Sequence, residues 1–403
     1  MNPQIRREIR KLYAFGFFWM FLPIIPVLVA YQLQLGLSMQ QVFLVQVFFG
    51  LVCAAFEVPS GYVCDLFGRK GTLIGGAVLW GIGFSLLYFV KDFTGMLIYE
   101  GILGVSVSLV SGADVSMLYD WLKLEEGPGA GERESATKVL ANYQMFQVGS
   151  EAIAGALCGL LVSLSYQHVL FGQLLTGWLP LVAVLFLREP PYDKLSRHSH
   201  LDNFRIVWKH VFVEDKLLKL IVLNQIVWSL ATFVAVWIYQ KLWQGAGIPL
   251  VVFGLLWAGY NLVVGITGQQ VQRLEKRYGS AVLLVILAVL PILGYAGLAL
   301  ASGWAIVAVG LLFQFSRGIT QIILKDAINW RTPGSIRATV LSLMSLLFRV
   351  GFAILGPLTG WAIDHLGLSQ TLWLLAAVFG LAYALVMLPL LKEVRLIKAV
   401  PQA

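Results

Sequence analysis

Apolar stretches of about twenty residues recur along the whole chain, separated by short polar intervals. A hydrocarbon core about 30 Å thick takes about 20 helical residues to cross, and a segment in lipid must satisfy its own backbone hydrogen bonds. The pattern therefore predicts membrane-crossing helices at 12–34, 40–63, 71–90, 94–119, 137–164, 168–187, 217–242, 249–271, 280–301, 304–326, 336–364 and 369–391. The only long polar interval, 188–216, contains Pro190-Pro191, His198, His200 and His210. It divides the chain into 1–187 and 217–403, each with six predicted helices. The expected fold class is all-α integral membrane, with 188–216 as a linker.

The two halves repeat each other. Phe146-Gln147-Val148-Gly149 matches Phe348-Arg349-Val350-Gly351 at an offset of 202, and Gly155-Ala156-Leu157-Cys158-Gly159 matches Gly356-Pro357-Leu358-Thr359-Gly360 at 201. Gly112 through Asp120 mirrors Gly318 through Asp326 at 206, and the turn Gly61–Lys70 is echoed by Gly268–Arg277 at 207. Offsets this constant indicate an internal duplication, which is how secondary transporters are built, with substrate bound between the repeats.

Composition agrees with a bilayer protein. The chain is 59% hydrophobic and only 12% charged, where a soluble domain carries roughly 25%. Its net charge of +8 would suit a polyanion partner if it were pooled, but the basic residues fall in alternate loops. Arg6, Arg7, Arg10, Lys11, Arg69, Lys70, Lys123, Arg133, Lys138, the linker bases, Arg273, Lys276, Arg277, Lys325, Arg331, Arg337, Lys392, Arg395 and Lys398 share one side, against Lys91 and Lys241 on the other. By the positive-inside rule both termini and the linker are cytoplasmic. The charge reports topology, and no nucleic-acid partner is expected. Residues 1–11 are basic and the first apolar run has no small-residue cleavage site, so that run is expected to be retained as a helix.

The turn between the second and third predicted spans reads Gly61-Tyr62-Val63-Cys64-Asp65-Leu66-Phe67-Gly68-Arg69-Lys70. Together with the duplication, it makes the chain resemble the major facilitator superfamily of secondary transporters over essentially its whole length. The resemblance implies twelve transmembrane helices in two pseudo-symmetric six-helix bundles that rock about a central cavity. It also implies a cytoplasmic latch of Gly61, Asp65, Gly68, Arg69, Lys70 and Asp120. In that arrangement Asp65 lies near the positive end of the eleventh helix, and Arg69 bridges Asp65 and Asp120. Leu66 departs from the family at a position that is often basic.

Charges inside helices cost about 2.5–3.5 kcal/mol each at the bilayer centre, so they mark function or pairing. Glu57, Glu151 and Glu100 are the proton-coupling candidates, set against a structural ion pair or an interhelical hydrogen bond. Asp114, near the inner end of the fourth span, reads as structural. Arg349, Arg317, Gln147, Asn224, Asn261 and Gln314 are candidates for a substrate cavity. Arg349 would draw an anionic substrate or hold Glu151. The aromatics of the first and seventh spans read mostly as an interface belt and lipid-facing surface.

No catalytic constellation, phosphate loop or metal-ligand spacing is present; Cys53, Cys64 and Cys158 show none, and His198-Ser199-His200 is too short for one. The expectation is a transporter, not an enzyme, with no cofactor and no metal. It would be a monomer in a cell membrane, bacterial inner membrane by expectation, coupling protons to a small-molecule substrate. The leading reading is efflux of small hydrophobic or cationic compounds. An uptake carrier or facilitator for an organic anion is the alternative, as is a lipid-handling relative of the same fold. The drug-antiporter pattern is not intact, since Glu100-Gly101 stands where an arginine would be sought.

Overall fold

The computed structural model describes residues 3–124, 132–191, 210–333 and 336–399. His198, His200 and most of the 188–216 interval lie outside that set, as do the side chains of Gly61 and Asp65. Among the described residues there are helices and no strands.

Eleven helical segments are long and apolar enough to cross a membrane. The expected span 12–34 is not one of them. Helix α1 (Pro3–Trp19) ends early, a short 3-10 turn covers Ile25–Val27, and α2 (Leu28–Gln34) follows. Pro23 and Pro26 explain the break, because each removes a backbone donor and disfavours helical geometry in the residue before it. Eleven spans among the described residues thus meet this measure, against the twelve expected, and the first expected span is the one that is broken.

The remaining helices are α3 (Met39–Leu87), α4 (Phe93–Val110), α5 (Ala113–Lys123), α6 (Glu132–Val162), α7 (Tyr166–Thr176) and α8 (Leu179–Leu185). After the 188–216 interval come α9 (Lys216–Gly245), α10 (Phe253–Tyr278), α11 (Ser280–Leu300), α12 (Ala305–Arg331), α13 (Arg337–Leu366), α14 (Leu368–Ala382) and α15 (Leu388–Ala399). They form two compact units. One holds Met1–Leu37, Leu44–Ser196 and Leu250–Ala258; the other holds Ser38–Phe43, Arg197–Pro249 and Gly259–Ala403. The first turn of α3 thus clusters with the second unit, and the start of α10 with the first.

Small residues set the helix spacing in both units, as expected where lipid offers no hydrophobic drive between helices. In the first unit a Cβ at Gly104 of α4 would lie 2.8 Å from Val52 Cγ1 of α3. In the second, a Cβ at Gly310 of α12 would lie 2.0 Å from the Tyr260 hydroxyl of α10. The two glycines stand 206 residues apart, so the duplication preserves a packing device.

Four aromatics of the first and seventh expected spans, Phe15, Trp19, Trp228 and Tyr239, depart from the belt reading. Phe15 and Trp19 are buried in the first unit, where Trp19 stacks on Trp80 with centroids 4.1 Å apart. Trp228 and Tyr239 are buried in the second, where Tyr239 stacks on Trp243 and meets Tyr260 and Phe313 edge-on. Phe17, Phe18, Phe233 and Trp237 keep a partly exposed face. Large flat rings fill the gaps that small residues leave between helices, and stacked or edge-on pairs add to their burial.

Candidate functional site

The turn that ends in Arg69-Lys70 is built around Gly68, at φ 76° and ψ 171°. That left-handed backbone stops the first part of α3 and lets a new helix start at Arg69. A starting helix has unsatisfied N–H groups and a positive end. Glu189 supplies the anion: its Oε1 accepts from the Arg69 backbone N–H at 2.7 Å and its Oε2 from the Lys70 N–H at 2.6 Å. The Arg69 guanidinium reaches sideways and pairs through Nε with Asp120 Oδ2 of α5. Lys70 Nζ donates to the Leu185 carbonyl at 3.1 Å.

The structure therefore brings together Arg69 and Asp120, two members of the expected latch, and adds Glu189. Sequence reasoning missed Glu189 because its partners lie 119 and 120 positions away. The available signal was an acid directly before Pro190-Pro191, just past the end of the sixth predicted span.

Between α4 and α5 the chain breaks at Gly112, with φ 87°. Asp114 then opens α5, accepting from the Val115 N–H at 2.7 Å and from the Tyr143 hydroxyl of α6 at 2.7 Å. This is an anchoring role, in line with the structural reading of that acid.

The three coupling candidates are separated by burial. Glu57 is exposed and Glu151 half-buried. Glu100 of α4 is 4% exposed, and its Oε1 accepts from Gln46 Nε2 of α3 at 3.0 Å. Among the described residues no cation lies within ion-pair distance of Glu100; its partner is a neutral amide.

The cavity candidates divide too. Asn224 is fully buried and its amide is spent: Nδ2 donates to the Leu220 and Val386 carbonyls, and Oδ1 accepts from Trp228 Nε1. It ties α9 to the π turn Tyr383–Met387, and so is corrected from a cavity residue to a packing one. Gln314 is buried with its Nε2 on the Tyr239 hydroxyl at 2.9 Å. Gln147, Asn261, Arg317 and Arg349 are half-buried and retain accessible surface.

At the opposite end of the first part of α3, the second unit contains a contact that sequence reasoning also missed. Asp364 of α13 accepts from the Met39 N–H at 3.0 Å and from the Gln40 N–H at 2.8 Å. A Cβ on Gly360, one turn earlier, would lie 2.5 Å from the Gln40 Cα. In the first unit a Cβ on Gly159 would lie 2.4 Å from the Val251 carbonyl oxygen, and one on Gly254 only 1.8 Å from that of Gly155. The repeated Gly-x3-Gly elements are thus the places where backbones meet.

These features define a polytopic helical membrane protein made of two related helical units. The sequence profile of the Major Facilitator Superfamily matches residues 12–331, and the chain belongs to that superfamily. It is a membrane transporter rather than an enzyme. A search among curated proteins finds no match. Among solved structures it is similar to a mutant form of the nucleoside transporter NupG, with a TM-score of 0.77 and 15% identity, covering 96% of this chain and 99% of that one. It also resembles a bacterial homologue of the human lysosomal transporter Spinster, with a TM-score of 0.72 and 14% identity over 100% of both chains. A D-xylose-proton symporter superposes with a TM-score of 0.67 and 14% identity, over 93% of this chain and 94% of that one. Identities this low speak for the fold alone.

Proposed function

We propose that this transporter couples proton movement to the outward passage of small hydrophobic or cationic compounds by alternating access. The observation that carries the proposal is Glu100, a buried carboxyl whose side-chain partner is the neutral Gln46. A carboxyl held this way inside a span is retained at a cost, and the cost is offset where the group takes up and releases a proton. The Arg69–Asp120 pair and the Glu189 cap, all within the first unit, fix the turn at which the second part of α3 begins and give that unit a rigid end about which to move. A helical acid with no cation beside it also favours cationic or neutral cargo over anions.

An uptake carrier for an organic anion is the second reading, supported by Arg317 and Arg349, which keep accessible surface in the second unit. The two readings differ in the response of energised everted vesicles carrying an internal pH dye. Addition of lipophilic cations and amphiphiles is expected to release protons from vesicles that contain the protein and not from empty-vector vesicles. No release across the panel, with folded protein present and organic anions accumulating instead, would sink the efflux reading.

A further inference from the structure

The inner ends of α1 and α6 enclose a cavity of about 430 Å³ that the transport mechanism does not use. Arg6 and Arg10 lie one turn apart on α1, and Lys138 faces them from α6. Ile9 and Val139, both buried, form an apolar floor, and Asn142 adds an amide to the wall. Tyr13 closes the deep side: its hydroxyl donates to the Val139 carbonyl at 3.1 Å, and its ring stacks on Phe146 with centroids 5.2 Å apart.

Among the described residues no carboxylate lines this cavity. The nearest acid in sequence, Glu8, is engaged elsewhere: Oε1 accepts from Lys11 Nζ at 2.6 Å and Oε2 from the Arg188 N–H at 3.2 Å. Among the described residues Arg6, Arg10 and Lys138 make no ion pair. Three cations held around one hollow repel one another unless an anion sits between them. Arginine is also the side chain best shaped to grip a phosphate through two parallel hydrogen bonds.

The setting narrows the anion. The basic ends of these helices are those that the positive-inside rule assigns to the cytoplasmic leaflet, whose surface is rich in anionic lipid. An apolar floor under a polar rim, with exposed Met145 and Phe146 on the same stretch of α6, suits an amphiphile better than a free ion. We infer that this cavity binds the phosphodiester headgroup of an anionic phospholipid from the inner leaflet. Arg6, Arg10 and Lys138 grip the phosphate, and the Tyr13–Val139 wall receives the start of the acyl region. The occupant clamps α1 to α6. Through Tyr143, whose ring lies 6.4 Å from that of Tyr13 and whose hydroxyl holds Asp114, the clamp also bears on the break between α4 and α5.

The test uses the purified full chain in neutral detergent. Thermal unfolding is followed as phosphatidylglycerol, phosphatidylcholine or inorganic phosphate is titrated at constant ionic strength. Phosphatidylglycerol is expected to raise the unfolding temperature, with the other two ineffective. Each cation near an anionic headgroup contributes about fivefold in affinity, so the variant Arg6→Gln/Arg10→Gln/Lys138→Gln should bind on the order of a hundredfold more weakly. The control Arg273→Gln/Lys276→Gln/Arg277→Gln, which removes the same charge from exposed positions on α10, should respond as the native chain does. If the triple cavity variant fails to fold, Arg10→Gln alone should still show the roughly fivefold loss. An equal response to phosphatidylcholine, full rescue by inorganic phosphate, or the same loss in the α10 control would overturn the assignment.

Discussion

At the scale of single residues, the proposed proton coupling turns on one buried acid, Glu100. Glu100→Gln keeps the side-chain volume and a polar group for Gln46, so the substitution should leave thermal stability near native while removing substrate-evoked proton release. Glu57→Gln and Glu151→Gln, at sites with more exposure, should retain part of it. Vesicles with the pH dye read all three together. A second prediction concerns the turn at Gly68. Asp120→Asn removes the charge that faces the Arg69 guanidinium in a partly buried place, which should cost about 1.5–3 kcal/mol, read as a lower denaturation midpoint. The sequence showed Arg69 because it belongs to a recognisable turn, and Asp120 because the family resemblance pairs that turn with an acid at the end of the fourth span. Glu189 and Asp364 stayed hidden, since each caps a helix that is remote in the chain, and nothing local to an acid says whose N–H groups it will meet.

At the scale of elements, the ends and crossings of helices decide the architecture. Gly254 and Gly155 approach so closely that a methyl group on Gly254 meets a backbone oxygen, which has no rotamer with which to yield. Gly254→Ala should therefore destabilise by about 1–3 kcal/mol, whereas alanine at Gly149, which has open space around it, should be nearly neutral. Asp215 offers a pH-dependent case. Burial pushes its carboxyl up, but the Leu218 N–H and the Arg331 guanidinium at 3.0 Å outweigh burial and hold it below the ordinary carboxylate range. The stabilisation that Asp215 gives the start of α9 is thus complete above the unfolded-state value and is lost as pH falls through the lowered one. Asp215→Asn should flatten that acid-side decline and cost about 0.5–2 kcal/mol near neutral pH, measured as unfolding temperature against pH. Spans were legible from hydropathy alone, because twenty apolar residues have few alternatives in lipid. The first span misled because Pro23 and Pro26 interrupt the helix without interrupting the hydrophobic run.

At the scale of the whole molecule, the duplication was the informative feature. It was readable as near-constant offsets, and the structure gives those offsets physical content as matched close contacts at Gly104 and Gly310. What hydropathy left open was which polar residues inside helices remain available for chemistry. Asn224 and Glu100 look alike in sequence, each a strongly polar group in a predominantly apolar helix. Packing exhausts the amide of the first and leaves the second with one neutral partner. The account of the molecule as a proton-coupled carrier rests on that difference. Its most direct test is purified protein in sealed proteoliposomes, with a transported compound drawn from the vesicle panel and proton flux recorded alongside substrate flux. The native chain should move protons in step with substrate, and Glu100→Gln, folded to the same unfolding temperature, should lose proton movement. Undiminished proton coupling in Glu100→Gln would contradict the account.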